Sequence, residues 1–439
     1  MPLKERIKNK IPNFLLRPIQ NLHAKYLNTR RIQEENKMIA RQPQLHQKAI
    51  EKINTKSGAI KIVFFVLFDS VWKYDEVFKI LQQDERFNPT ILVCPISNYS
   101  YQNMIDNMNR CYDLFSKKGY HVIKSFNSET GEYLDVKAEL KPDLIFYTSP
   151  YEGLIDDRYY IKNFTDILTI YVDYFFSEGI NFKYSSDLLL HNLVWRRYSE
   201  HQEHYNACQK SRNKGINAVY SGYPGTDCFI KKGAKFKDNW KIKKTTVKRI
   251  IWAPHHTITD YAFVNYSTFL SYCDFMFEMA EKYRDEIQIC FKPHPILKNR
   301  LDIEWGKEKS EEYYNKWATL PNGMLNDGEY EDLFMTSDAM IHDCGSFIGE
   351  YLFTKKPAMF LTNGEPFEKK YNNTARNCLS NYYIGRSKKD IESFILNVIN
   401  NEDPLKNQRI SFVEKELMPP NGKLASENIV DDIIKGLGL

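Results

Sequence analysis

The chain has 439 residues, 42% of them hydrophobic and 27% charged, with a net charge of +5. That length suits two domains, and that balance is the balance of a soluble globular protein, not of a disordered or membrane-embedded one. The longest apolar run, 62–68, falls far short of the roughly 20 residues a spanning helix needs, and no apolar leader opens the chain. The expectation is a cytoplasmic protein, able to sit peripherally on the inner face of the membrane.

The charge is uneven. Residues 1–56 hold 13 Lys/Arg against 4 Asp/Glu, a net of +9, which leaves −4 for the rest. Such asymmetry calls for a partner, and an anionic membrane surface fits it. Ile7, Ile11, Leu15, Ile19 and Leu22 recur at near-helical spacing, which suits an interfacial helix, with Pro12 and Pro18 expected to interrupt it. The alternative is a helix packed on the protein's own body. The mildly acidic remainder argues against nucleic acid. The 8 cysteines form no C-x-x-C pair, and no Asp-x-Asp or ligand cluster stands out, so no metal and no resident cofactor are expected. Nothing in the composition sets an oligomeric state.

From residue 60 onward, apolar β-rich runs alternate with helical patterns. Strands are predicted at 61–68, 89–94, 120–125, 143–148, 167–172 and 217–221. Helices are predicted at 72–82 and 101–118, with one long helical stretch over 185–212. Residues 231–248 are polar and Lys-rich and read as an interdomain linker. A second alternating set follows, with strands at 249–252, 287–291, 338–342 and 358–361. Its helices fall at 265–283, 330–336, 346–353, 387–400 and 427–435. Continuous apolar strands alternating with helices imply parallel sheets covered on both faces. The division expected is a basic helical segment 1–58, one Rossmann-like domain 59–230, a second 249–425, and a terminal helix 426–439. Ligands in such sheets bind beyond the carboxyl ends of the strands.

Three motifs lie at such ends in the second domain. Pro254, His255, His256 and Thr257 follow the first strand. Imidazoles there can donate to phosphate oxygens, or merely cap the next helix. Lys292, Pro293, His294 and Pro295 follow the second, the prolines fixing the backbone on either side of one titratable ring. The third runs from Ser337 through His342, Asp343, Cys344, Gly345, Ser346 and Phe347 to Glu350. There a helix start offers unpaired amides to an anion, and Glu350 stands one turn on, in reach of a ribose hydroxyl. Its bland reading is a strand–turn–helix with a serine cap.

Together these motifs resemble the CDP-glycerol glycerophosphotransferases, the teichoic-acid and capsule polymerases. The resemblance rests on Lys292–Pro295, on Ser337–Ser346 with Glu350, on Lys356-Pro357, on Ser221–Asp227 and on Trp252-Ala253-Pro254, covering roughly 217–361. It implies a GT-B architecture with the nucleotide donor in the C-terminal domain and the acceptor near the N-terminal one. Where that family carries a Trp-His-Gly-Thr-Pro motif, this chain has Tyr171-Val172-Asp173-Tyr174. A looser similarity extends to bacterial sialyltransferases and polysialyltransferases.

The expected reaction moves a polyol phosphate from a CDP-linked donor to a polymer or lipid-linked acceptor hydroxyl. His294 and Lys292 would hold the diphosphate, and the Gly345–Phe347 amides the leaving phosphate, with His256, Thr257 and Asp343 lining the site. The base would be Asp173, with His191, His255 or His256 as substitutes. A glycosyltransferase using a CMP- or UDP-sugar needs the same phosphate groups, and a non-catalytic scaffold on this fold is the third reading.

Overall fold

The computed structural model describes residues 13–176, 179–180, 182–259, 266–362 and 364–439, with side chains 13–24, 71, 183 and 184 outside the description. Two parallel sheets dominate. The first holds β1 (Ile60–Val66), β2 (Phe87–Val93), β3 (Val122–Lys124), β4 (Leu144–Tyr147), β5 (Leu168–Val172), β6 (Arg196–Ser199) and β7 (Ala218–Tyr220). The second holds β8 (Lys248–Ala253), β9 (Ile287–Phe291), β10 (Gly323–Leu325), β11 (Ala339–His342), β12 (Ala358–Leu361) and β13 (Tyr383–Gly385). Their orders are β3-β2-β1-β4-β5-β6-β7 and β10-β9-β8-β11-β12-β13, each with its first strand central. Both are therefore doubly wound, and their apolar strands are buried on both faces, as in β1 and β9.

The predicted long helix over 185–212 is a correction. Three short helices, Phe182–Ser186, Leu189–Leu193 and Gln202–Cys208, flank the strand β6 there. Short apolar runs do not separate strand from helix by periodicity. Pairing decides the matter: Trp195 donates to Thr169 O at 2.8 Å, and β6 lies between β5 and β7. Residues 231–247 carry no helix or strand, yet Trp240 is buried in the second domain and donates to Thr336 Oγ1 at 3.0 Å. The edge strands β10 and β13 and the helices Leu297–Glu304, Lys307–Thr319, Asn373–Leu379 and Lys406–Phe412 were not anticipated from sequence.

One helix, Asn13–Asn54, runs through both Pro18 and Pro43, so Pro18 does not interrupt it. Around Pro43, burial offsets the backbone bond that the proline removes. Ile39, Ala49 and Ile53 are buried, Gln42 donates to Thr165 O at 2.8 Å, and Arg212 pairs with Glu35 at 2.6 Å. The later half of the helix thus packs on the first domain. Ile7, Ile11 and Pro12 lie outside the described residues, as do the side chains of Leu15, Ile19 and Leu22. Among the described residues no helix is long and apolar enough to cross a membrane.

The last helix, Ala425–Leu437, returns to the first domain. Ile429, Val430, Ile433 and Leu437 join the core under β1, and Asp432 accepts from Arg196 Nε at 2.8 Å and from Tyr198 OH at 2.9 Å. Asp227 caps its start through Ala425 N–H and Ser426 N–H at 2.9 and 2.7 Å, and burial pushes that carboxyl up to about 6.

Candidate active site

Because β9, β8 and β11 are neighbours and parallel, the three loops that follow them meet at one edge of the second sheet. Backbone bonds lock them together. Lys292 N–H donates to Trp252 O at 2.8 Å, and His294 N–H to Pro254 O at 3.1 Å. Asp343, 1% exposed, spends both carboxylate oxygens on its neighbours. One accepts from His255 N–H at 2.6 Å, the other from Thr268 N–H and Oγ1–H at 2.5 and 2.9 Å. Asp343 is therefore a bracket that shapes the β8 loop rather than a ligand contact, and burial raises its carboxyl to about 6.

These locks cluster three imidazoles. Ring centroids lie 4.3 Å apart for His255–His256, 4.3 Å for His256–His294 and 5.0 Å for His255–His294. Burial holds all three neutral, with His256 pushed down to about 4 and His294 to about 3. Hydrogen bonds set two of the tautomers. His294 Nδ1 accepts from Ile296 N–H at 3.2 Å, so its proton sits on Nε2. Thr257 Oγ1 accepts from Tyr266 N–H and Ser267 N–H at 3.0 and 3.3 Å, so its own hydroxyl proton goes to His255 Nδ1, 3.0 Å away. His255 too then carries its proton on Nε2. The three rings lie close enough to hold a metal ion. Two Nε2–H donors nonetheless oppose a cation and suit an anion.

The other expected residues take varied places. Lys292 is buried and donates to Gly328 O at 2.8 Å, which ties it to the loop before Tyr330. Ser346 lies 3.3 Å from Cys344 Sγ and makes no capping bond. The helix behind Gly345, Ser346 and Phe347 runs only from Phe347 to Glu350 before tightening to a 3-10 turn, so its dipole is small. Glu350 is 1% exposed, and its oxygens accept from Tyr223 OH at 3.3 Å and from Tyr330 OH. Lys73 of the first domain donates to that same Tyr330 oxygen at 2.6 Å. In this arrangement Glu350 joins the two domains instead of standing open to a ribose.

In the first domain, Asp173 follows β5 and is buried against Arg197 and His204, each at 3.4 Å. His204 Nδ1 lies 2.6 Å from Glu200, and that contact holds the carboxyl below its usual range despite burial. Asp173, Glu200 and His204 could geometrically hold a cation, but the Arg197 guanidinium already supplies positive charge there. Burial raises the Asp173 carboxyl. His191 lies elsewhere, buried in Leu189–Leu193 with its ring 5.3 Å from Tyr171 and its Nδ1 accepting from Leu188 N–H. The structure thus joins His255, His256, Thr257, His294 and Asp343, and separates them from His191.

Sequence reasoning missed Lys73, Arg197, His204, Tyr223 and Tyr330. Glu200, His201, Glu203 and His204 form a dense titratable run that was readable, but the single long helix assigned there hid it.

Two doubly wound domains joined through the Glu350 contacts define a GT-B-like architecture. The wall teichoic acid polymerase TagF has that fold, with a TM-score of 0.57 at 14% identity over 95% of this chain and 97% of that one. So does MnaA of S. aureus, solved with UDP, with a TM-score of 0.54 at 14% identity over 87% and 97%. At those identities the likeness speaks for the fold alone. The sequence goes further. The family model described as CDP-Glycerol:Poly(glycerophosphate) glycerophosphotransferase matches residues 192–435, more than half of the chain, and the chain belongs to that family. Teichoic acid ribitol-phosphate polymerase TarL of Staphylococcus aureus (strain NCTC 8325 / PS 47) is 26% identical over 235 residues. That match takes in 50% of this chain and 37% of TarL, so the chain spans little more than a third of that relative's length.

Proposed function

We propose that this chain transfers glycerol- or ribitol-phosphate from a CDP-linked donor to a hydroxyl of a teichoic-acid or capsule polymer, releasing CMP. Family membership supports the reaction class, and the paired Nε2–H donors of His255 and His294 carry the assignment of the phosphate site. The acceptor oxygen attacks the β-phosphorus. Its bond to phosphorus forms as the bond to CMP breaks, and the acceptor proton leaves to a base. The two imidazoles and the Lys292 charge hold the diphosphate, and the Gly345–Phe347 backbone receives the departing CMP phosphate. His256, which lies against His294, is the base nearest the phosphates, and an anionic phosphate bound beside it would raise its basicity from the low value that burial imposes. Asp173, enclosed by Arg197 and His204, is a poorer one. The basic stretch 1–56 would hold the enzyme on an anionic membrane beside a lipid-linked acceptor.

The test compares CMP release from CDP-glycerol or CDP-ribitol by wild type, His294→Ala and His294→Gln. Loss of one preorganised donor lowers turnover on the order of 100- to 1,000-fold. His294→Ala should show that loss, and the glutamine, which keeps an N–H, should recover part of it. Undiminished release by His294→Ala contradicts the proposed phosphate site.

A further inference from the structure

Three consecutive residues between β10 and the helix Glu331–Thr336 are tied in three directions. Gly328 O accepts from Lys292 Nζ at 2.8 Å. Glu329 pairs with Lys118 of the first domain at 2.9 Å. Tyr330 OH accepts from Lys73 of the first domain at 2.6 Å and donates to Glu350. Tyr330 also packs its ring on Phe334 and Phe347. Packing does little for the residues before it. Asp327, Gly328 and Glu329 are exposed, and a Cβ at Gly328 would meet no atom within 4 Å. Asn326 N–H anchors the start of the segment by donating to Phe291 O at 3.0 Å. From there to Tyr330, its placement comes from side-chain ties, and those of Glu329 and Tyr330 lead to the first domain.

Lys292 feels that placement. Its backbone is fixed at the end of β9, but its long stem leaves the amine to be aimed by what it bonds. An ammonium carries three donors, so the bond to Gly328 O directs the group and leaves the others for phosphate oxygens. If the first domain swings away, Lys118 and Lys73 go with it, and the carbonyl that aims Lys292 loses its support. We propose that Lys118 and Lys73 are positioning residues, which act through residues 328–330 to hold the Lys292 amine on the donor diphosphate. The grip on the donor then depends on the first domain being closed against the second. The inference rests on the reading of Lys292 as a diphosphate ligand given above.

Calorimetry with CDP-glycerol and CDP-ribitol on the full chain tests it. The proteins are wild type, Glu329→Gln, Lys118→Arg, Lys73→Met and Lys292→Met, with Lys292→Met also combined with Glu329→Gln and with Lys73→Met. An exposed ion pair sets a low ceiling, so Glu329→Gln should weaken the donor about twofold to fivefold. Lys118→Arg keeps the pair and should bind like wild type. Lys73→Met removes a buried charged donor and should weaken the donor roughly tenfold. In the Lys292→Met background neither substitution should add to the loss, because both act through that amine. The thermal midpoint of ligand-free Glu329→Gln should match wild type. A midpoint lowered in step with binding would assign the loss to folding and overturn the inference. Unchanged binding in Glu329→Gln or Lys73→Met, or a loss that persists in full in the Lys292→Met background, would also overturn it, while weaker binding by Lys292→Met alone would leave the phosphate site standing. Wild-type affinity in Lys292→Met would overturn both, as would a wild type that binds neither donor.

Discussion

At the scale of single residues, the site is a set of three neutral histidines, two of them held by hydrogen bonds that fix where the proton sits. The same burial makes the protein acid-sensitive. His342 is fully buried, donates from Nδ1 to Cys344 O at 3.0 Å, and is pushed down to about 3 by desolvation. Its folded pKa lies below the unfolded value of about 6.5. Below pH 6.5 the unfolded chain therefore binds a proton that the folded chain refuses, and stability present above that pH is lost as pH falls. At pH 5 the difference is about 2 kcal/mol. Denaturant titrations at pH 7 and pH 5 should show a pH dependence shallower by that amount in His342→Gln. An identical slope in the variant contradicts the assignment. Asp227 and Asp343, both raised to about 6, act in the opposite sense, but they are present in both proteins and cancel in the comparison.

A second residue-scale prediction concerns Glu350. Tyr330→Phe removes the hydroxyl shared by Lys73 and Glu350 and leaves a buried carboxylate with one partner fewer. The expected cost is about 1–3 kcal/mol in the unfolding free energy, read by denaturant titration. A neutral substitution means the contact does not hold the domains together.

At the scale of elements, two contacts carry the joint between distant segments. Gly349 lies against Phe176, and a Cβ there would clash with the Phe176 ring. Gly349→Ala should destabilise on the order of 1–3 kcal/mol. Adding Phe176→Ala should restore part of it, which a double-mutant cycle measures. The terminal helix is the other contact. Ile433 is fully buried in the first domain's core, so Ile433→Ala should cost about 2–5 kcal/mol although β1 lies far away in the chain. Deletion of residues 425–439 should leave the first domain unable to fold, and an undiminished far-UV circular dichroism signal would contradict that.

The elements also mark where sequence reasoning succeeds. Long apolar runs such as 61–68 and 287–291 announced buried strands because only parallel-sheet strands stay apolar on both faces. Arg196–Ser199 did not, since two arginines and a serine make a polar strand whose identity comes from its neighbours. The Lys292–Pro295 segment was legible because its prolines bracket one histidine. Its meeting with His255 and His256 was not, because the adjacency of β9 and β8 is a fact of topology and not of spacing.

At the scale of the whole molecule, two sheets of similar winding are joined by Lys73–Tyr330–Glu350 and by Glu203, which accepts from Thr374 N–H at 2.6 Å across the domains. The same joint explains why Glu350, expected to meet a ribose, is occupied here, and a donor that needs its carboxylate must compete with Tyr223 and Tyr330. The central claim is that this architecture moves a polyol phosphate from a CDP-linked donor. The most direct test incubates the purified protein with a polymer acceptor extract and, separately, CDP-glycerol, CDP-ribitol, CMP-sialic acid and UDP-sugars, and measures the nucleotide released. The account predicts CMP from a CDP-polyol and nothing from the sugar nucleotides. Release from a CMP- or UDP-sugar alone would contradict it and make the protein a glycosyltransferase on the same fold.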